Sequence, residues 1–182
     1  MSPHIRYILI CLFSLSPIIS GAETRTIPHD FDAMFNASPK KLEIESPFQI
    51  GTSTEDGIVY TCSGEAQFLT DYTKTDNKIA IFLEKSGDKV ETSLIQNLDS
   101  LRIVYSPYAK RAMTVSISTD GSEWHNIATR QVSSSLTTVK MPRAGDYYVR
   151  IAYSSDKVYI KQIDYIYVDL SGCPNCFLYK PE

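Results

Sequence analysis

A two-residue period runs through most of this chain and constrains what it can fold into. Met113, Val115 and Ile117 alternate with Thr114, Ser116 and Ser118, and Tyr147, Val149, Ile151 and Tyr153 follow the same rule. Leu101, Ile103 and Tyr105 alternate with Arg102, Val104 and Ser106, and Ile79, Ile81 and Leu83 with Ala80, Phe82 and Glu84. Side chains on a strand point to opposite faces in turn, so each segment is a strand with one apolar face that a second layer must cover. Gly, Pro, Asp, Asn and Ser punctuate the segments, and no sustained helical period appears.

Strands are expected near 57–63, 66–70, 78–84, 89–93, 100–106, 111–118, 124–129, 135–141, 146–154 and 157–168. About ten antiparallel strands make an all-β, two-sheet jelly-roll sandwich a better fit than an immunoglobulin-type domain. From Val158 to Leu170 the alternation slips, because Val158 and Ile160 share one parity while Ile163, Tyr165 and Tyr167 share the other. A β-bulge near Lys161-Gln162 would restore a single inward face. Asp120-Gly121 reads as a tight hairpin turn with Gly121 at positive φ.

Residues 1–22 read as a secretory signal: Arg6 is the positive element, Tyr7 to Phe13 is uninterrupted apolar sequence, and Ser20-Gly21-Ala22 is a small-residue cleavage site. Ser14, Ser16 and Pro17 interrupt the apolar stretch too early for a membrane span, and Ile10 before Cys11 does not suit lipidation. The expected mature start is Glu23, in a secreted, periplasmic or cell-surface compartment. Residues 23–46 read as an irregular lead-in, 47–170 as the sandwich and 171–182 as a tail.

The 182 residues carry 18 Lys+Arg and 21 Asp+Glu, a formal charge of −3 that becomes one unit more negative without Arg6. The cations are scattered, so nucleic acid, which is bound by neutralising phosphates with clustered positive charge, is not an expected partner. No later apolar stretch reaches membrane-spanning length.

The run from Thr114 through Ser118-Thr-Asp-Gly-Ser-Glu-Trp124, then Gly145-Asp-Tyr-Tyr-Val-Arg-Ile151, then Val158-Tyr-Ile-Lys-Gln-Ile-Asp-Tyr165 resembles the second half of a galactose-binding-like jelly-roll, the superfamily of discoidin-type domains and many carbohydrate-binding modules. The chain also looks similar to small secreted modules found beside polysaccharide-degrading enzymes in gut-type bacteria. The resemblance implies the fold and an inward, packing role for Trp124. It covers residues 114–165 through structural motifs, and no sugar-contacting residues of a named family are matched.

Three features could carry chemistry. Cys173-Pro-Asn-Cys176 has redox-motif spacing, but too few residues follow Cys176 for the helix that would stabilise a thiolate. A turn centred on Pro174 and Asn175 would bring the two cysteines within disulfide reach, leaving Cys62 unpaired in a buried strand; a bridge from Cys62 to one of them is the alternative. Zinc held by Cys62, Cys173, Cys176 and His125 is disfavoured where thiolates oxidise, and no cofactor is expected. Trp124, the single Trp, would be a sugar platform if exposed, but is expected in the core.

If successive strands alternate up and down, the loops near 63–64, 86–87, 107–110, 130–135 and 154–156 share one end of the sandwich. That end would gather Tyr108, Lys110, Arg130, Gln131 and Asp156, an aromatic with charged hydrogen-bonding partners, the equipment of a carbohydrate subsite. The opposite end would collect Asp71, Tyr72, Asp120, Glu123 and Arg143. No Ser, His and acid trio has a local signature, His29 lies in the lead-in, and short loops leave little material for a deep cleft, so catalysis is not expected. Glu55-Asp56 is too common a pairing to mark a calcium site. The expected role is non-catalytic glycan binding by the loop end, with a structural or protein-interaction module of the cell envelope as the alternative.

Overall fold

The computed structural model describes residues 23–36, 48–51, 57–70, 78–105, 113–130, 136–155 and 157–169. Their strands are β1 (Glu23–Asp30), β2 (Phe48–Gly51), β3 (Val59–Ser63), β4 (Gln67–Thr70), β5 (Ile79–Leu83), β6 (Lys89–Thr92), β7 (Ile95–Tyr105), β8 (Met113–Ser118), β9 (His125–Arg130), β10 (Leu136–Tyr153) and β11 (Val158–Asp169), with one short helix, α1 (Phe31–Asn36). Every strand pairing is antiparallel.

Two layers result. Sheet I runs from the first leg of β10 through β7 and β11 to β5 and β4, with β1 along the same edge of β11 as β5. Sheet II runs β2, β3, β6, the second leg of β10, β8 and β9. Strand β10 belongs to both. Leu136 to Lys140 pair with β7, Tyr148 to Tyr153 pair with β8, and the register slips on either side of Gly145 where the strand turns the corner. The separate strands expected at 135–141 and 146–154 are thus two legs of one strand. Pro142, with no N–H to give a ladder, sits in the stretch that skips its partner.

The alternating residues face each other between the sheets. Ile81, Leu83, Leu101, Ile103, Tyr105, Ile160, Ile163 and Tyr165 from sheet I meet Tyr60, Cys62, Val90, Val115, Ile117, Val149 and Ile151 from sheet II. The slip in β11 lies where it was expected: Ile160 is opposite Tyr105 and Gln162 opposite Val104, so Lys161 is the extra residue and Ile163 and Tyr165 return to the core. Tyr105 and Thr137 meet through their hydroxyls at 3.0 Å, which satisfies both inside. Ala80, Phe82 and Tyr159, on the other face of sheet I, form a small second buried cluster in which the two rings stack 4.7 Å apart.

The lead-in is ordered at its start, contrary to the irregular segment expected. All eight residues of β1 pair with β11, from Glu23 opposite Asp169 to Asp30 opposite Gln162. The Asp30 carboxylate then accepts from the backbone N–H groups of Asp32 and Ala33, capping α1, and Asp32 accepts from the N–H of Ile79 to fasten the helix beside β5. His29 and Phe31 are fully buried. Phe31 meets Tyr60 and Phe68 edge-on at 5.4 and 5.7 Å, and the His29 ring lies 4.9 Å from that of Tyr165. His29 Nδ1 and the Tyr60 hydroxyl are 2.7 Å apart, so this histidine serves packing.

Candidate functional site

With β10 taken as two legs, the strands alternate in direction as the loop argument supposed. One end of the sandwich is built around Asp88, which is 1% exposed in the β5–β6 turn. Its Oδ1 accepts from the N–H of Glu65 at 2.7 Å, and its Oδ2 from the N–H groups of Glu84 and Lys85 at 2.8 and 3.0 Å. Its carbonyl accepts from the N–H of Tyr153 at 2.9 Å. The carboxylate thereby ties the β3–β4 turn to the β5–β6 turn, and the carbonyl of the same residue ties both to the end of β10. Burial opposes its charge, but the three N–H donors outweigh burial and hold its pKa below the ordinary value. Ion pairs from Lys85 to Glu65 and from Lys157 to Glu84 span the same end.

The strand termini flanking the remaining two loops reach this end as well. Met113 is opposite both Tyr153 and Arg130, and Leu136 is opposite Val104. The residues expected to contact ligand lie outside the described residues: Tyr108, Lys110, Gln131 and Asp156 entirely, and Arg130 in its side chain, its backbone being the last residue of β9. Cys173 and Cys176 lie outside them too. Cys62 is buried and free, as expected for the unpaired cysteine.

At the other end the Asp120-Gly121 hairpin is wider than a two-residue turn. Residues 119–124 separate β8 from β9, and Gly121 has φ +78°. Asp120 organises the loop by accepting from the N–H groups of Ser122 and Glu123 and from the hydroxyls of Ser118 and Ser122. Those donors, the Ser122 N–H first, hold its carboxyl well below the usual carboxylate range. Arg143 is exposed near the β10 corner, where its carbonyl accepts from the Tyr147 hydroxyl; Asp71 and Tyr72 lie outside the described residues.

Trp124 is not in the core. It is partly exposed in the loop just before β9, and the Arg150 guanidinium lies 3.8 Å from its ring centroid. Arg150 projects from the outer face of sheet II and crosses Ser116 on β8, which is opposite both Arg150 and Asn126. Its Nε donates to Glu91 Oε1 at 2.6 Å, Nη2 reaches the same carboxylate, and Lys89 joins from β6. The result is a row from Thr61 on β3 through Glu91 on β6 and Arg150 on β10 to the indole in the loop before β9. Tyr148, half-buried beside Gly121, lies next to it. Even-numbered parity along 147–153 was enough to turn Arg150 outward, but nothing local in the sequence pairs it with Trp124.

The described surface also has a groove of about 570 Å³ between β1, β7, β11 and the start of β3, lined among others by Arg25, Ile27, Leu94, Asn97 and Tyr167. Among the described residues no group of three or more His, Cys, Asp or Glu could hold a metal ion, and no helix is long and apolar enough to cross a membrane.

No family model matches this chain, and no curated protein matches it. Solved structures similar to it include a family 32 carbohydrate-binding module from Clostridium perfringens, at TM-score 0.41 and 15% identity over 81% of this chain and 94% of that one. A structure described under glycan recognition by the Ruminococcus flavefaciens cellulosome gives TM-score 0.41 and 16% identity over 80% and 96%. A low-affinity xylan-binding module from Roseburia intestinalis gives TM-score 0.42 and 9% identity over 69% and 98%.

Proposed function

We propose that this protein is an exported, non-catalytic carbohydrate-binding module whose first contact surface is the outer face of sheet II around Trp124. The observation that carries this reading is the Trp124–Arg150–Glu91 row. A partly exposed indole offers apolar area to the C–H face of a pyranose, and Trp is rigid enough to do so at small entropic cost. Arg150, braced by the indole and by Glu91, presents its remaining N–H donors in a fixed direction, and Glu91 accepts from hydroxyls. A contact set on the outer face of a sheet suits binding along a chain more than the enclosure that chemistry requires. Dissociation constants in the millimolar to high-micromolar range, about −4 to −6 kcal/mol, match one stacking contact and a few hydrogen bonds.

A second reading keeps the loop end with Tyr108, Lys110, Arg130, Gln131 and Asp156 as the contact set. It is favoured by the register, which gathers the strand termini flanking those loops around the Asp88 clasp. A glycan array with protein starting at Glu23, followed by isothermal titration of the best ligand, tests both. Loss of binding in Trp124→Ala with Tyr108→Ala unaffected supports the sheet face, and the reverse result supports the loop end. No binding to any glycan turns the assignment to a protein-interaction module of the envelope.

A further inference from the structure

The groove at the end of the sandwich opposite Asp88 is a separate feature from the Trp124 row, and the way it is built is unusual. It opens where β7 leaves β11. Leu98 is still opposite Tyr167, whereas Ile95 is opposite Tyr147 at the corner of β10, so Val168 and Asp169 keep β1 on one side and lose β7 on the other. The departure is made by a bulge: between the pairs Tyr147–Ile95 and Gly145–Leu98, the two residues Gln96 and Asn97 stand against Asp146 alone. Asn97 has φ +56°, the one non-glycine residue at positive φ among those described. The Asp146 carboxylate accepts from its N–H at 3.0 Å and holds the bulge in place.

The Asn97 side chain is also unsatisfied. Its Oδ1 is shut off from water and has no hydrogen-bond partner. A buried acceptor without a donor is destabilising, and left-handed backbone at a non-glycine residue adds to that. Glycine would remove both penalties, so the asparagine side chain calls for an explanation. Around it, Leu94 is 41% exposed, one of the two exposed large apolar side chains among the described residues, and Tyr167 and Ile27 continue the apolar lining. Arg25 and Asp169 place one charge of each sign on the lining, so the groove does not select for a strongly charged ligand. Its volume, about 570 Å³, is that of a small-molecule site.

We propose that this groove is a second ligand site, taking a neutral sugar unit whose apolar face lies against Leu94 and Tyr167 and whose hydroxyl or amide donor supplies the partner that Asn97 lacks. Rotation about the last torsion of Asn97 turns its carboxamide toward the ligand as the ligand seats. The bulge aims this residue, and the splay between β7 and β11 makes the room.

The test is amide shift mapping on ¹⁵N-labelled protein starting at Glu23, titrated with the methyl glycosides of galactose, glucose and N-acetylglucosamine. At least one is expected to shift the amides of Leu94, Asn97 and Tyr167 in a saturable way. Asn97→Gly, which suits the positive φ and so keeps or raises the melting temperature, should weaken that binding about tenfold, the equivalent of one hydrogen bond. Leu94→Glu changes an exposed side chain and should abolish it, while Trp124→Ala should leave it intact. Absence of shifts at these amides with all three glycosides, or unchanged affinity in Asn97→Gly, overturns the proposal. Shifts confined to the Trp124 indole would overturn the groove site while leaving the sheet-face reading standing, and shifts confined to the groove would do the opposite.

Discussion

The Arg150 guanidinium lies over the Trp124 ring, 3.8 Å from its centroid, and Glu91 holds the same guanidinium through Nε and Nη2. The indole is therefore a half-buried group with a cation against its ring, and its removal should cost the stability of a cation–π contact and some apolar cover, about 1–2 kcal/mol, where a core tryptophan would cost about 3–5 kcal/mol. Urea titration of Trp124→Ala distinguishes the two, and a loss above 3 kcal/mol would return Trp124 to the core.

Two glycines at positive φ should respond differently to the same substitution. At Gly64, φ +78°, an added Cβ would lie 2.7 Å from both Asp88 Oδ1 and the Gly87 carbonyl oxygen, inside the clasp. At Gly121, also φ +78°, its nearest neighbours would be the Tyr148 ring atoms at an ordinary 3.6 Å. Gly121→Ala should show backbone strain alone, about 1–2 kcal/mol, and Gly64→Ala should lose about 1–3 kcal/mol beyond that because backbone must move. Paired denaturant titrations measure the difference, and equal losses would mean that the turn relaxes freely.

What the sequence made legible follows from how local each signal is. The inward faces of β5, β7, β8, β10 and β11, and the extra residue at Lys161, are written in alternation that a strand expresses one residue at a time. Strand β1 was missed because Glu23 to Asp30 reads as polar with an internal Pro28: it is an edge strand, and its burial comes only at His29 and from Phe31 beyond it. The unity of β10 was hidden by Pro142 and Gly145, which punctuate a corner as readily as a turn. Trp124 was assigned inward from the resemblance and from the large apolar area of an indole, and its actual partner, Arg150, comes from a strand far along the chain. The groove could not be read at all, since Arg25, Leu94, Asn97 and Tyr167 meet only through the register of β1, β7 and β11.

Cys62 offers a chemical check on the core. It is fully buried in β3, and burial pushes its thiol pKa up to about 12, so at pH 8 it should stay protonated and out of reach of alkylating reagents. Native protein is expected to show no labelling at Cys62 by peptide mass mapping, with full labelling after denaturation. Rapid native labelling would mean that sheet II opens around β3. The same peptide map, run without reductant, tests the expected link between Cys173 and Cys176.

The Asp88 clasp gives the stability a pH dependence of defined sign. The carboxylate's folded pKa lies below its unfolded value, so the folded state binds the proton more weakly than the unfolded chain does. Its contribution is therefore complete above the unfolded aspartate pKa, near pH 4, and is lost as the pH falls through the lower folded value. Asp88→Ala should cost about 2–4 kcal/mol at pH 7, because the N–H groups of Glu65, Glu84 and Lys85 lose a buried acceptor together. Asp88→Asn keeps one carbonyl oxygen and should cost less, but it cannot titrate. Between pH 5 and pH 3 the parent should lose stability faster than Asp88→Asn, so that the two denaturation midpoints converge. Parallel pH profiles would show that the clasp is held by its backbone bonds to Lys85 and Tyr153 and draws nothing from the charge.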